Sequence, residues 1–500
     1  MLHQLRFDGK LLVLGCGSVA QCTIPLLLRH LEMPAERVTV MDMRDNRELI
    51  ASSLSRGVKF VHERLTKDKF REQLGRFLGP GDILVDLAWN LQTTDLLNWC
   101  RQHGVRYINT SVEMWDPYEG HSRRPITELT LYHRHMQLRE MITRWGDNRG
   151  PTAVLDHGAN PGLVSHFTKR ALIEIAQRTV DDQPKGLRAD ELQSAIERQA
   201  FNELARLTGV KVIHVSERDT QRSSKPKSSD EFVNTWSVEG LYEEGIAPAE
   251  LGWGTHEKRL PHDAQQHAHG PQNQICLERK GINTWVRSWC PSGEIRGMVI
   301  RHGEAFSISE ILTCTDHAGE VIYRPTVHYA YCPCEDAMGS LNELRNREYR
   351  MHGRERILRN EIVSGRDELG CLLMGHDYKS WWIGSLLDIN ETRRLVPGQN
   401  PTTLQVASSL LGALFWMIRH PDQGVNLPDD LPHEDILNVA MPYLGPFMSQ
   451  PVDWSPTFNG HHVSSNGNGA AKKNGRPKKS RDDSEDDHED WQFEQFLIAT

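Results

Sequence analysis

The first hundred or so residues alternate between short apolar runs and segments whose apolar positions recur every three to four residues. Leu11 to Leu14, Val38 to Met41, Val58 to Val61, Ile83 to Leu87 and Val105 to Asn109 read as strands. Between them, the stretch after Gly17, Arg47 to Ser55, Lys67 to Phe77 and Thr94 to His103 have helical spacing. Successive βα units predict an α/β fold built on a Rossmann-type, doubly wound parallel sheet.

The pattern then changes. Ala153 to Asp156 is a further strand, and His157-Gly158-Ala159-Asn160-Pro161-Gly162 forms a turn that opens an apolar-striped helix from Leu163 to Ala176. Short β segments at Val210 to Val215, Thr284 to Trp289 and Met298 to Ile300 predict a mixed sheet in a second, α+β domain. A helix from Thr403 to Ile418, apolar on most sides, is expected to be buried between domains or subunits. The predicted division is 1–155 for the nucleotide-binding domain and 156–457 for the second domain, whose late helices can pack back on the first. Residues 458–490 run from Gly, Asn and Ser into KKNGRPKKSR and then DDSEDDHED, which reads as a disordered charged tether. A nucleic-acid or targeting role for Lys472 to Arg481 is the alternative, countered by the adjacent acids. Residues 491–500, WQFEQFLIAT, are apolar enough to dock back.

At the first strand-to-helix turn stands Gly15-Cys16-Gly17-Ser18-Val19-Ala20, answered by Asp42 at the end of the next strand. Gly15 permits the tight turn, Gly17 lets a pyrophosphate approach the backbone N–H groups of Ser18 and Val19, and Ala20 allows close packing. Asp42 would hold a ribose 2′-OH and so favours NAD over NADP, a preference moderated by Arg44 and Arg47. Ligands of such sheets lie beyond the carboxyl ends of the strands, so Ala88, Trp89, Asn90, Thr110 and Ser111 are expected to line the cofactor, with Asn160 at its edge. The competing reading is an ordinary turn with incidental glycines.

With 500 residues the chain is long enough for two or three domains, and its formal net charge of -9 argues against a general nucleic-acid binder. Nine cysteines at irregular spacing fit a reducing compartment. Cys332-Pro333-Cys334 is too closely spaced for a zinc knuckle, so a buried thiol pair and no metal are expected. The N-terminal residues lack a signal-like apolar stretch, and a soluble cytoplasmic protein without membrane contact is expected.

Residues 214–256, read as a β/loop segment, combine Glu217, Asp219, Glu239, Glu243 and Glu244 with Trp236. Facing one pocket, they would suit a ligand with separated ammonium groups: carboxylates give charge-assisted hydrogen bonds and the indole a cation–π contact. Solvated acids and a core tryptophan are the alternative. His302 beside Glu304 could move a proton, as amine oxidation requires.

Six longer runs carry a family resemblance: GANPG at 158–162, ERDTQR at 217–222, FVNTWSVEG at 232–240, PAELGWGT at 248–255, YRPTVHYAY at 323–331 and MPYLGP at 441–446. On these the chain resembles the bacterial homospermidine synthase family of the saccharopine-dehydrogenase-like group over residues 7–457. The resemblance implies NAD as a prosthetic hydride carrier, a substrate and dimerisation domain, and a homodimer. The implied reaction transfers an aminobutyl group from putrescine or spermidine to putrescine through imine intermediates. It implies that Trp236 makes the cation–π contact and that Glu217 and Glu244 line the diamine pocket with Glu113. It also implies that His302, Glu304 and Asn160 stand close to the reacting carbon. Ala20 replaces a glycine of the nucleotide fingerprint, and Asn90 stands where an acid is expected. A saccharopine- or carboxynorspermidine-type reductase and a non-catalytic NAD-responsive scaffold remain as alternatives.

Overall fold

Seven parallel strands form the first sheet, in the order Val425–Asn426, Ala153–Val154, Arg106–Asn109, Ile83–Asp86, Leu11–Leu14, Val38–Asp42, Lys59–His62. They belong to a computed structural model that describes residues 4–120, 123–457 and 491–499. Leu11–Leu14, Ile83–Asp86 and Arg106–Asn109 are buried along their whole length, as strands covered on both faces must be. Register aligns Leu14 with Met41 and Asp86, and Asp86 with Asn109, so the turns that follow these strands open on one edge. The doubly wound sheet read from the periodicity is present. Its outermost strand comes from far along the chain, after the long apolar helix.

That helix, Pro401–Arg419, is capped by the Asn400 side chain and packs on Ser18–His30 and His433–Ala440. Leu404, Leu411, Leu414 and Phe415 share one core with Val13, Ile24 and Leu27. It is long and apolar enough to cross a bilayer, but 89% of its apolar window is buried here.

The second sheet has ten strands. Thr326–Cys332 and Val212–Asp219 run parallel at its centre, and Arg366–His376 and Lys379–Asp388 continue it antiparallel. Gly293–Met298 pairs with Trp285–Cys290 and ends sooner than the apolar pattern suggested, so Val299 and Ile300 leave the sheet and lead into Arg301. Residues 214–256 are not all strand and loop: Val238–Ile246 is an α-helix whose Ser237 Oγ accepts the N–H of Gly240. Two glycines and a β-branched first residue hide it from local pattern, whereas the N-cap and tertiary packing form it.

Residues 491–499 lie on the second sheet. Phe493 and Phe496 are buried beside Trp454, and Ile498 N donates to Trp285 O at 2.9 Å. The tether expected at 458–490 lies outside the described residues.

Candidate active site

A cleft of about 990 Å³ runs along the carboxyl edge of the first sheet and is closed by the second half of the chain. At one end Gly15 adopts φ +84°, and a side chain there would meet Leu87 O at 2.7 Å, so only glycine fits. Nothing stands within 4 Å of the place where a Gly17 Cβ would be, and the helix Ser18–His30 begins without a side-chain cap. Uncapped N–H groups at a helix start with open space before them suit an anion such as a pyrophosphate. Asp42 accepts N–H bonds from Cys16 at 2.5 Å and Arg44 at 2.7 Å, which ties the second strand's end to the glycine turn. Ala88, Asn90, Thr110 and Asn160 also face the cleft. Asn90 has φ +60°, a region that asparagine tolerates better than most residues, which gives a backbone reason for the amide at this position.

At the other end Trp236 and a set of carboxylates, Glu113, Glu217, Glu243 and Glu244, line the cleft. Glu217 Oε2 accepts from Tyr329 Oη at 2.5 Å and Asn160 Nδ2 at 3.2 Å. Burial pushes Glu217 up to about 7 despite the Tyr329 bond. Glu113 takes one bond from Ser111 Oγ at 2.8 Å, while its Oε2 has no partner among the described residues. Burial, then the charge of Glu243, push Glu113 up to about 8. Glu243 behaves oppositely: burial would raise it, but Arg301 and Arg134 both donate to its Oε1 and hold it below the usual range. Trp236 Nε1 donates to Tyr331 Oη at 3.1 Å, and Gly240 lies so close that a Cβ there would meet the indole at 2.7 Å.

His302 bridges two acids, with Nδ1 3.2 Å from Glu304 and Nε2 3.1 Å from Glu244. Burial would lower it, yet Glu304 and Glu244 carry it well above its ordinary value, which favours the protonated ring. Its ring lies 4.3 Å from that of Tyr329. The cleft therefore offers acids for cations, an indole, an imidazole fixed between two acids and, in Glu217, a carboxyl that changes its proton near neutrality.

The chain matches two family models: the saccharopine dehydrogenase NADP binding domain over residues 11–154 and the saccharopine dehydrogenase C-terminal domain over 158–450. A homospermidine synthase of Mesorhizobium japonicum is 41% identical over 458 residues, spanning 90% of this chain and 92% of the relative. One from Blastochloris viridis is 39% identical over 500 residues, spanning 99% and 98%. The chain belongs to the homospermidine synthase family. The crystal structure of the Legionella pneumophila homospermidine synthase in complex with NAD is similar over 99% of both chains, with a TM-score of 0.82 and 36% identity.

Against this homospermidine synthase fold, the residues singled out in the sequence fall as follows. Gly15, Gly17, Ser18, Val19, Asp42, Ala88, Asn90, Thr110, Asn160, Glu113, Glu217, Trp236, Glu244 and His302 all line the one cleft. Glu304 does not: it is wholly buried, with its Oε1 3.2 Å from His302 Nδ1. Asp219 is a layer further in, where it accepts from Thr235 Oγ1 at 2.7 Å. Sequence reasoning passed over Tyr329 and Tyr331, although both lie in the quoted YRPTVHYAY run. It also passed over Arg134, on the helix Leu131–Arg144, and Arg359, which lines the cleft near Cys16. Arg134 meets Glu243 across 109 residues of chain, and no local spacing signals such a pair.

Proposed function

We propose that the protein is a homospermidine synthase that transfers an aminobutyl group from putrescine, or spermidine, to a second putrescine, using resident NAD. The observation that supports this most is the His302 imidazole held between Glu244 and Glu304, in the one cleft that buried Glu217, the Trp236 indole and the glycine turn also line. When bound, NAD would supply the hydride acceptor for the first diamine and return that hydride to the coupled imine.

The chain's own residues do the rest. Glu113 and Glu244 hold the distal ammonium groups. Glu217, pushed up to about 7, accepts a proton from the ammonium at the reacting carbon and frees the lone pair. Trp236 steadies the cationic imine. After the second amine adds, His302 gives a proton to the departing nitrogen, and Asn160 keeps Glu217 oriented. Two putrescines yield homospermidine and ammonia, so no net oxidant is consumed. A reductase acting on an amino acid would call for a guanidinium to anchor its carboxylate. The two arginines beside the acids, Arg134 and Arg301, are both committed to Glu243.

We further propose the division 1–155 for the NAD-binding domain and 156–457 for the substrate and dimerisation domain, followed by the 458–490 tether and the 491–500 docking segment. The same reading expects a cytoplasmic homodimer. The deciding experiment supplies putrescine fully deuterated at both terminal carbons with substoichiometric NAD. Homospermidine that retains every deuterium supports internal hydride return. Washed-out label, or NADH consumed in step with product, overturns it.

A further inference from the structure

The helix Val238–Ile246 presents acids to both ends of the cleft. Glu243 and Glu244, in its last turn, belong to the cation-binding end. Glu239, in its first turn, stands 3.9 Å from the guanidinium of Arg44, two residues beyond Asp42. Glu355, on the strand Arg354–Ile357, lines the same cleft, and burial followed by the nearby Glu239 charge raises it. Arg44, Glu239 and Glu355 all line the cleft where a dinucleotide's adenosine ribose would meet Asp42. The neighbouring guanidinium, Arg47, is forked onto Asp45 at 2.8 and 2.6 Å.

A 2′-phosphorylated dinucleotide carries nearly two extra negative charges at this ribose and usually recruits an arginine there. Here the arginines that follow Asp42 already face acids, and two of those acids come from the other half of the chain. We propose that the Arg44–Glu239–Glu355 cluster is a specificity filter that refuses NADP-type dinucleotides, so that the substrate-binding half takes part in choosing the cofactor. Asp42 reads the hydroxyl, and Glu239 with Glu355 withholds Arg44 from a phosphate and adds repulsion. The inference rests on the dinucleotide reading of the cleft given above, and its test needs no polyamine turnover.

Equilibrium binding of NAD and of NADP, followed separately by calorimetry, would be compared for the full-length wild type, E239Q/E355Q, and the same double variant with R44A. Wild type should prefer NAD by roughly tenfold or more, since partly exposed charge contacts each contribute only a modest factor. The double variant should tighten NADP binding by roughly tenfold while NAD stays within a factor of about three. Adding R44A should cancel the gain. Equal wild-type affinities, which Arg64 and Lys67 at the same end could produce, would overturn the filter. So would an unchanged NADP affinity in the double variant, or a gain that survives R44A. Melting temperatures check folding, and the single variants E239Q and E355Q carry the same test if the double variant does not fold. Homospermidine formation in a protein that fails this test would leave the catalytic reading standing. Selective NAD binding without turnover would leave the filter standing and sink the catalytic reading.

Discussion

Tyr329 donates its phenolic hydrogen to Glu217 Oε2 across 2.5 Å, from the central strand Thr326–Cys332 to its parallel neighbour Val212–Asp219. Burial raises Glu217 to about 7, and this bond acts against that rise. Removing it with Y329F leaves the ionised form less favoured and lifts the carboxyl further. If Glu217 must be ionised to take the ammonium proton, the acid limb of kcat/KM should move to higher pH by roughly one to two units. A pH–rate profile on putrescine checks it, and an unmoved limb would remove Glu217 as the acceptor.

Trp236 has two close neighbours, the Tyr331 hydroxyl on its Nε1 and Gly240 against its six-membered ring. Loss of a desolvated cation–π contact in W236A should lower kcat/KM by roughly tenfold to thirtyfold, whereas W236F, which keeps an aromatic face, should retain most of it. Steady-state rates for both variants decide. Equal losses would assign the indole a packing role.

The contrast between these two residues shows what the chain order reveals and what it conceals. The glycine turn was legible because strand, turn and helix are contiguous, and every chemical requirement there falls within a few residues of Gly15. Trp236 could be picked out because it sits among acids in one short segment. Tyr329 could not: its partner is 112 residues away, and only sheet pairing brings them together. The helix Val238–Ile246 was missed for a related reason. Gly240 is unfavourable within a helix on propensity, yet its lack of a side chain is what the Trp236 ring requires. The strand Val425–Asn426 joins the first sheet only after nine of the ten strands of the second have passed, which no local periodicity announces.

Glu113 is a second buried carboxyl with an altered proton affinity, pushed up to about 8. Its folded value lies above its unfolded value, so between about pH 4.5 and 8 the native state binds more protons than the unfolded chain. Stability should therefore fall as pH rises through that window and level off above it. E113Q removes the buried charge while keeping an acceptor for Ser111 Oγ. It should raise the melting temperature at pH 8.5 relative to wild type, with little difference at pH 5, and weaken putrescine binding by roughly tenfold. Scanning fluorimetry at both pH values and a binding titration check the two arms. A wild-type melting temperature indifferent to this substitution at pH 8.5 would mean that the carboxylate is solvated.

Phe496 tests the docking of the last described residues. Its side chain is fully buried, with ring centroids 4.7 Å from His214 and 6.3 Å from Trp454, and Val286 bridges antiparallel to the adjacent Leu497. These contacts close one face of the ten-stranded sheet whose central strands also carry Glu217 and Tyr329. F496A leaves a cavity between aromatic rings and should cost about 3 to 5 kcal/mol in that half of the molecule. Because the first sheet has its own core, the loss should appear as a lower melting temperature for one transition rather than uniform unfolding. Hydrogen exchange localises it: the Ile498 amide, bonded to Trp285 O at 2.9 Å, should exchange far faster in F496A, while amides of Leu11–Leu14 keep their protection. Unchanged protection at Ile498 would show that the segment is held by its polar contacts, Gln492 Nε2 to His256 O at 2.9 Å and Phe493 N to Glu257 Oε2 at 3.0 Å, and not by the buried ring.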